Sequence, residues 1–322
     1  MAANTPSSST TTIQTRRARL LGLYRDTLGP LLRDRAVWCF CAVWAVAAVY
    51  LSLVGSAHQV VVSLTFTVPW LVVLGLATIL LTANAPVTPP ADDAAKGQRG
   101  RWWIQLAVVL AFAVLTAQRG MVFHKDAPGA FASIPLWSPL VSLLTTLWGK
   151  VLPNPFWGVN PTLYVLLPGI CLLALGARWR ELGFARGYRS WTVALLWSAV
   201  FLVPIVIALI SGGLGALLFL KYLVSNLLQN GFSEEFLMRG ALMTRLMPLV
   251  GRSWAAVLSA IVFGMWHLGL NTQAVGGNYL AGLALGVISQ GTFGLAMAIV
   301  FLRTRNLLAP TIIHILADVP VG

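Results

Sequence analysis

The stretch Asn230-Gly-Phe-Ser-Glu-Glu-Phe-Leu-Met-Arg-Gly240 places two adjacent carboxylates and an arginine inside an otherwise apolar half of the chain. Only nine Asp and Glu residues occur in the 322, and Asp26, Asp34, Asp92, Asp93, Asp126 and Glu181 fall in segments that read as water-exposed. The other three, Glu234, Glu235 and Asp318, lie in or beside apolar helices, as do two of the four histidines, His267 and His314. An ionisable group in hydrocarbon costs a few kcal/mol or more, so such groups face a bundle interior and mark function. Five of them in one part of the chain point to one site enclosed by helices.

Composition agrees with this. The chain is 58% hydrophobic and 10% charged, with mean hydropathy +0.81, far from the roughly 25% charged residues of a soluble domain. The expected fold is all-α: a polytopic membrane bundle of about eight transmembrane helices. The net charge of +13 does not imply nucleic acid, because Arg and Lys cluster in short segments between apolar runs, as the positive-inside rule describes. Cys39, Cys41 and Cys171 have neither metal-ligand nor disulfide spacing, and read as packing residues.

Three regions follow. Residues 1–35 form a basic tail with Arg16, Arg17, Arg19, Arg25, Arg33 and Arg35; it reads as cytoplasmic, with a short amphipathic helix over Leu20 to Leu32. Residues 36–190 hold the first spans: Ala36 to Val54, Val60 to Leu81, Trp102 to about Ala117, and Thr162 to Ala177. The first two are each close to the roughly 20 residues that cross a bilayer. The basic, proline-rich loop around Arg99 and the arginine cluster around Arg186 are placed inside. Between Gln118 and Pro161, repeated proline and tryptophan predict an irregular outer-face segment with a partly inserted helix near Ser138 to Lys150. Residues 191–322 form the site-bearing core: a span over Trp191 to Ile210, an overlong apolar run from Ala216 to Leu249 that kinks near Gly231, spans over Trp254 to Leu270 and Leu280 to Leu302 separated by a polar Asn271 to Asn278 loop, and a closing helix from Leu307 to Val319.

On a helix, Glu235 and Arg239 share a face at i and i+4, while Glu234 points about 100° away. Arg239 neutralises Glu235, which leaves Glu234 as the freer carboxylate and the candidate general base. Phe263 and His267 are also at i and i+4, as are His314 and Asp318, so an aromatic ring stands beside one imidazole and a carboxylate beside the other. A base, two imidazoles and an orienting carboxylate can activate water and stabilise an oxyanion, either directly or through a metal held by Glu234, His267 and His314. Each element alone has a packing explanation; their conjunction in the apolar helices does not.

The ordered patterns Glu234-Glu235-x-x-x-Arg239, Phe263-x-x-x-His267 and His314-x-x-x-Asp318 resemble those of the CPBP (CAAX protease and bacteriocin-processing, or Abi) intramembrane proteases, which include the type II CAAX prenyl endopeptidases. The resemblance covers about residues 191–322. It implies an endopeptidase in which Glu234 activates water, His267 helps to bind that water, and His314 with Asp318 polarises the carbonyl or forms the oxyanion site, with Glu235, Arg239 and Phe263 supporting. It leaves the cofactor open between zinc and none. The implied partners are membrane lipid and a membrane-associated peptide or protein substrate, lipidated or not, in a bacterial plasma membrane with the N terminus cytoplasmic. His-Glu-x-x-His, Gly-x-Ser-Gly and Gly-x-Gly-Asp signatures do not occur. The competing reading is a transporter, or an immunity or scaffold protein, in which the same groups relay protons or hold helices together.

Overall fold

Backbone N–H and C=O groups in hydrocarbon must be satisfied within their own segment, so long apolar runs fold as helices. The computed structural model describes residues 32–85, 99–125 and 127–320, and among them there is no strand. The expected tail and amphipathic helix fall outside the described residues except at 32–35, as does the proline-rich loop from 86 to 98.

Eleven helical elements follow in order: α1 (Arg35–Leu53), α2 (Ala57–Leu81), α3 (Arg99–Phe123), α4 (Trp137–Gly149), α5 (Phe156–Ala174), α6 (Ser190–Ile210), α7 (216–250), α8 (Arg252–Trp266), α9 (Leu268–Ala274), α10 (Tyr279–Thr304) and α11 (Leu308–Ala317). Six of them are long and apolar enough to cross a membrane, or seven if α8 and α9, bent by 56°, count as one span. Among the described residues the expected count of about eight is not reached by length and composition. The overlong run became α7, which is not among the six, and α11 is only 10 residues long. The polar Asn271 to Asn278 loop is corrected: Leu268–Ala274 is helical, and Asn271 and Thr272 are buried.

Apolar side chains such as Val46, Leu53, Leu195 and Ile210 are exposed on the outside, the pattern of helices whose outer faces meet lipid. Packing between helices relies on small residues. A Cβ on Gly264 of α8 would stand 2.5 Å from the Gly286 carbonyl oxygen of α10, and one on Gly269 of α9 would stand 2.7 Å from Met121 Cα of α3. Glycine at these two positions lets the backbones meet, as in other membrane bundles.

One end of the bundle is rich in arginine. Arg189 donates to the Leu81 carbonyl at 2.6 Å, Arg303 to the Thr82 carbonyl at 2.7 Å and Arg101 to the Gly176 carbonyl at 3.1 Å. These carbonyls lie at or just past the C-terminal ends of α2 and α5, where intrahelical donors run short, so cationic side chains cap them.

α7 is not a plain α-helix. Its α segments Ala216–Ser225, Phe232–Glu235 and Thr244–Val250 alternate with π segments at Asn226–Gly231 and Phe236–Met243, and the first π segment ends at Gly231, the residue at which a kink is expected. Single-turn π insertions often lie at functional sites. Here the first brings α7 against α11: Asn226 Nδ2 donates to the Ile315 carbonyl at 3.0 Å, and a Cβ on Gly231 would stand 2.6 Å from Ile315 Cγ1.

Candidate active site

Glu235 is fully buried, and its Oε1 accepts from Arg239 Nη1 at 2.9 Å and lies 2.8 Å from His314 Nδ1. Arg239 is equally buried. Its Nη2 donates to the Gly294 carbonyl at 2.9 Å and its guanidinium carbon sits 4.6 Å from the Phe263 ring centroid. Three helices, α7, α10 and α11, are thus tied at one carboxylate. A buried charge is tolerated only when paired and hydrogen-bonded, and Arg239 and His314 supply both.

With Glu235 committed to Arg239 and His314, Glu234 turns to the cavity. Its Oε2 is buried, has no protein hydrogen-bond partner, and lies 3.7 Å from His267 Nε2 and 3.8 Å from His314 Nε2. The four residues named as catalytic, Glu234, His267, His314 and Asp318, all line one cavity of about 600 Å³.

His267 sits at the break between α8 and α9, where its backbone leaves the helical region. Its Nδ1 is 2.9 Å from the Phe263 carbonyl. A carbonyl oxygen can only accept, so Nδ1 carries the proton, and Nε2 of the neutral ring presents its lone pair toward Glu234. Phe263 packs edge-on to His267 at 4.7 Å and to His314 at 5.9 Å, and Phe293 packs on His314 at 5.2 Å. Aromatic edges therefore fix both imidazoles.

Asp318 is placed differently from the expectation. Its Oδ2 is 3.6 Å from His314 Nε2, too far for a hydrogen bond, and accepts instead from Asn230 Nδ2 at 2.9 Å. The carboxylate within hydrogen-bond distance of the His314 ring is Glu235, at 2.8 Å from Nδ1. Sequence reasoning passed over Asn230, although it opens the motif stretch. It also passed over Tyr164 and Arg119, which line the cavity and meet through an Arg119 Nη1 to Tyr164 Oη hydrogen bond of 2.9 Å. An arginine at the end of a span was the available signal for the second.

The three side chains named as alternative metal ligands do not make a ligand set. Among the described residues no group of three or more His, Cys, Asp or Glu is arranged to hold a metal ion. A tetrahedral ion with bonds of about 2.0–2.1 Å needs donors roughly 3.4 Å apart. The Glu234 Oε2 separations of 3.7 Å from His267 Nε2 and 3.8 Å from His314 Nε2 are slightly wider than that.

Residues 215–320 match the family model described as type II CAAX prenyl endopeptidase Rce1-like. No curated protein matches the chain, and no solved structure does. The matched segment runs from the start of α7 to just past Asp318 and so contains every residue of the Glu235–Arg239–His314 cluster and of the Glu234 cavity wall contributed by α7, α8 and α11. The match over this segment supports the CPBP (CAAX protease) family for the site-bearing part of the chain.

Proposed function

We propose that the protein is an intramembrane endopeptidase in which Glu234 activates water for attack on a peptide carbonyl. The observation that carries this reading is Glu234 Oε2, which is buried without a protein partner, within 4 Å of two imidazole Nε2 atoms, in a cavity of about 600 Å³.

In this mechanism one water sits about 2.8 Å from both Glu234 Oε2 and His267 Nε2. Both atoms are acceptors, so the water gives one O–H to each and turns its lone pair toward the substrate. As the water oxygen bonds to the carbonyl carbon, its proton passes to Glu234 and the carbonyl π pair moves to oxygen. His314 supplies the donor for that oxyanion: its Nδ1–H is spent on Glu235, so Nε2 donates when the ring is imidazolium, with Glu235 and Asp318 as counter-charges. Glu234 then returns the proton to the amide nitrogen as the C–N bond breaks, and the products are a carboxylic acid, which keeps the second water proton until it ionises, and an amine. Asn230 holds Asp318, while Glu235, Arg239 and Phe263 hold the imidazoles.

The test is purified protein in detergent with a panel of fluorogenic peptides, some carrying a membrane-proximal apolar segment and some a lipid chain. Turnover in the native chain that disappears in Glu234→Gln supports the reading. Equal turnover in the two would sink it.

A further inference from the structure

Charge is unequally divided between the two ends of the bundle. One end collects the starts of α1, α3, α6, α8 and α11 and the ends of α2, α5, α7 and α10. Twelve arginines among the described residues, from Arg33 to Arg305, stand there. The other end holds four basic side chains, Arg119, Lys125, Lys150 and Lys221. Short loops rich in Arg and Lys stay in the cytoplasm, so the arginine-rich end is the cytoplasmic one.

The cavity belongs to the opposite half. Its walls include Arg119 and His124 at the end of α3, Phe156 and Asn160 at the start of α5, Leu270 of α9 and Asp318 after α11, and among the described residues none of its lining comes from the arginine-rich end. Between Glu234 and that end stands Phe236–Met243, every residue of which is buried. Beyond it, Arg245 bridges to Glu181, with its Nη1 donating to the Glu181 carbonyl at 3.2 Å and its Nη2 lying 3.8 Å from Oε2. Among the described residues, this buried segment and the Arg245–Glu181 pair separate Glu234 from that end.

We infer that the site takes its substrate from the non-cytoplasmic face of the membrane. The substrate class is then an exported peptide, or the non-cytoplasmic flank of a membrane-spanning segment, whose scissile bond reaches Glu234 through the mouth beside His124 and Leu270. On this inference a lipid-modified terminus that stays in the cytoplasm is not a substrate. This inference rests on the protease reading above for its substrate, and on charge and packing alone for its face.

Two measurements keep the two apart. In a chain with Cys39, Cys41 and Cys171 changed to Ser, single cysteines are introduced as Lys125→Cys, Leu270→Cys and Arg180→Cys, and intact cells are treated with a membrane-impermeant maleimide. Expected is labelling of Lys125→Cys and Leu270→Cys in intact cells, and of Arg180→Cys only after permeabilisation. Labelling of Arg180→Cys in intact cells, or none of Lys125→Cys, overturns the inference whether or not the protein cleaves anything. The second arm takes a peptide cleaved in the detergent assay and fuses it to either flank of a single-span reporter in cells. Cleavage only on the non-cytoplasmic flank is expected, and cleavage on the cytoplasmic flank overturns the inference. If no peptide is cleaved in detergent, the protease reading fails and the labelling still decides the face.

Discussion

His314 Nδ1 and Glu235 Oε1 lie 2.8 Å apart, 79 residues apart in sequence, with both side chains out of solvent. This contact joins α11 to α7 and makes Glu235 a member of two partnerships at once, since the same oxygen accepts from Arg239. Removing one partner of a buried ion pair leaves the other charge uncompensated, at about 3–5 kcal/mol. Glu235→Gln is therefore expected to lower stability by that order and to reduce cleavage as well, because the His314 ring loses its charged partner. Arg239→Gln should cost about as much stability. The double variant should cost clearly less than the sum of the two, since the groups act as one unit. Thermal unfolding of the three variants in detergent checks this; additive losses would mean that the pair is not coupled.

Asp318 behaves differently because it is one-third exposed and hydrogen-bonded to Asn230 rather than to His314. Asp318→Asn can still accept from Asn230 but loses the counter-charge near Nε2, so a loss of about tenfold in single-turnover rate is expected with little change in stability. Asn230→Ala and Asp318→Ala should each cost more than Asp318→Asn. Their effects should also be non-additive, with a coupling of about 0.5–3 kcal/mol. Independent effects in a double-mutant cycle would show that the Asn230–Asp318 hydrogen bond does not act in the reaction.

Much of the fold was legible because hydrocarbon leaves the backbone few choices. The runs over Ala36 to Val54, Val60 to Leu81, Trp191 to Ile210 and Leu280 to Leu302 each became helices within a few residues of those limits. The polar residues from Asn271 to Asn278 have the composition of a loop, whereas Asn271 is buried and donates to Gln290 Oε1 at 3.0 Å. A buried polar group with a partner across helices looks like a solvated one in the sequence alone.

The site divides along the same line. Contacts within one helix, such as Glu235 with Arg239 and Phe263 with His267, follow from i,i+4 spacing. Contacts between helices depend on rotation about each axis, and no spacing rule gives that. Glu235 with His314, Asn230 with Asp318 and Arg119 with Tyr164 are all of this second kind. The π segments of α7 add to the difficulty, because an extra residue per turn shifts the face that every later residue presents.

The glycines between α8 and α10 give a prediction independent of chemistry. A Cβ at Gly264 would stand 2.5 Å from the Gly286 carbonyl oxygen, which is backbone and cannot swing away. Gly264→Ala must push α8 from α10 and is expected to cost about 1–3 kcal/mol, as overpacking does. Because His267 lies one turn further along, cleavage should fall as well. Gly75→Ala is the control, since a Cβ there meets nothing within 4 Å. Equal melting temperatures for the two variants would contradict the close approach.

The last prediction separates Glu234 from every residue around it. Glu234 Oε2 has no protein hydrogen-bond partner and faces the cavity, so Glu234→Gln removes a charge without breaking a protein contact at that atom. Stability should hold or rise slightly, because no buried partner is left uncompensated. The chemical step should fall by about 10² to 10⁴, the range for losing general-base catalysis, while peptide binding survives. His314→Gln should lose about 10² to 10³ as an oxyanion donor is removed, and should also lose stability, because Glu235 then loses one of its two partners. His267→Gln should fall between them, since a side-chain carbonyl can still accept from water but without the fixed ring geometry that the Phe263 carbonyl imposes. Single-turnover cleavage and thermal unfolding on the same preparations read both quantities. A Glu234→Gln protein that melts normally and cleaves at the native rate would falsify the assignment of the base, and one that melts far below the native chain would make Glu234 a packing residue like Glu235.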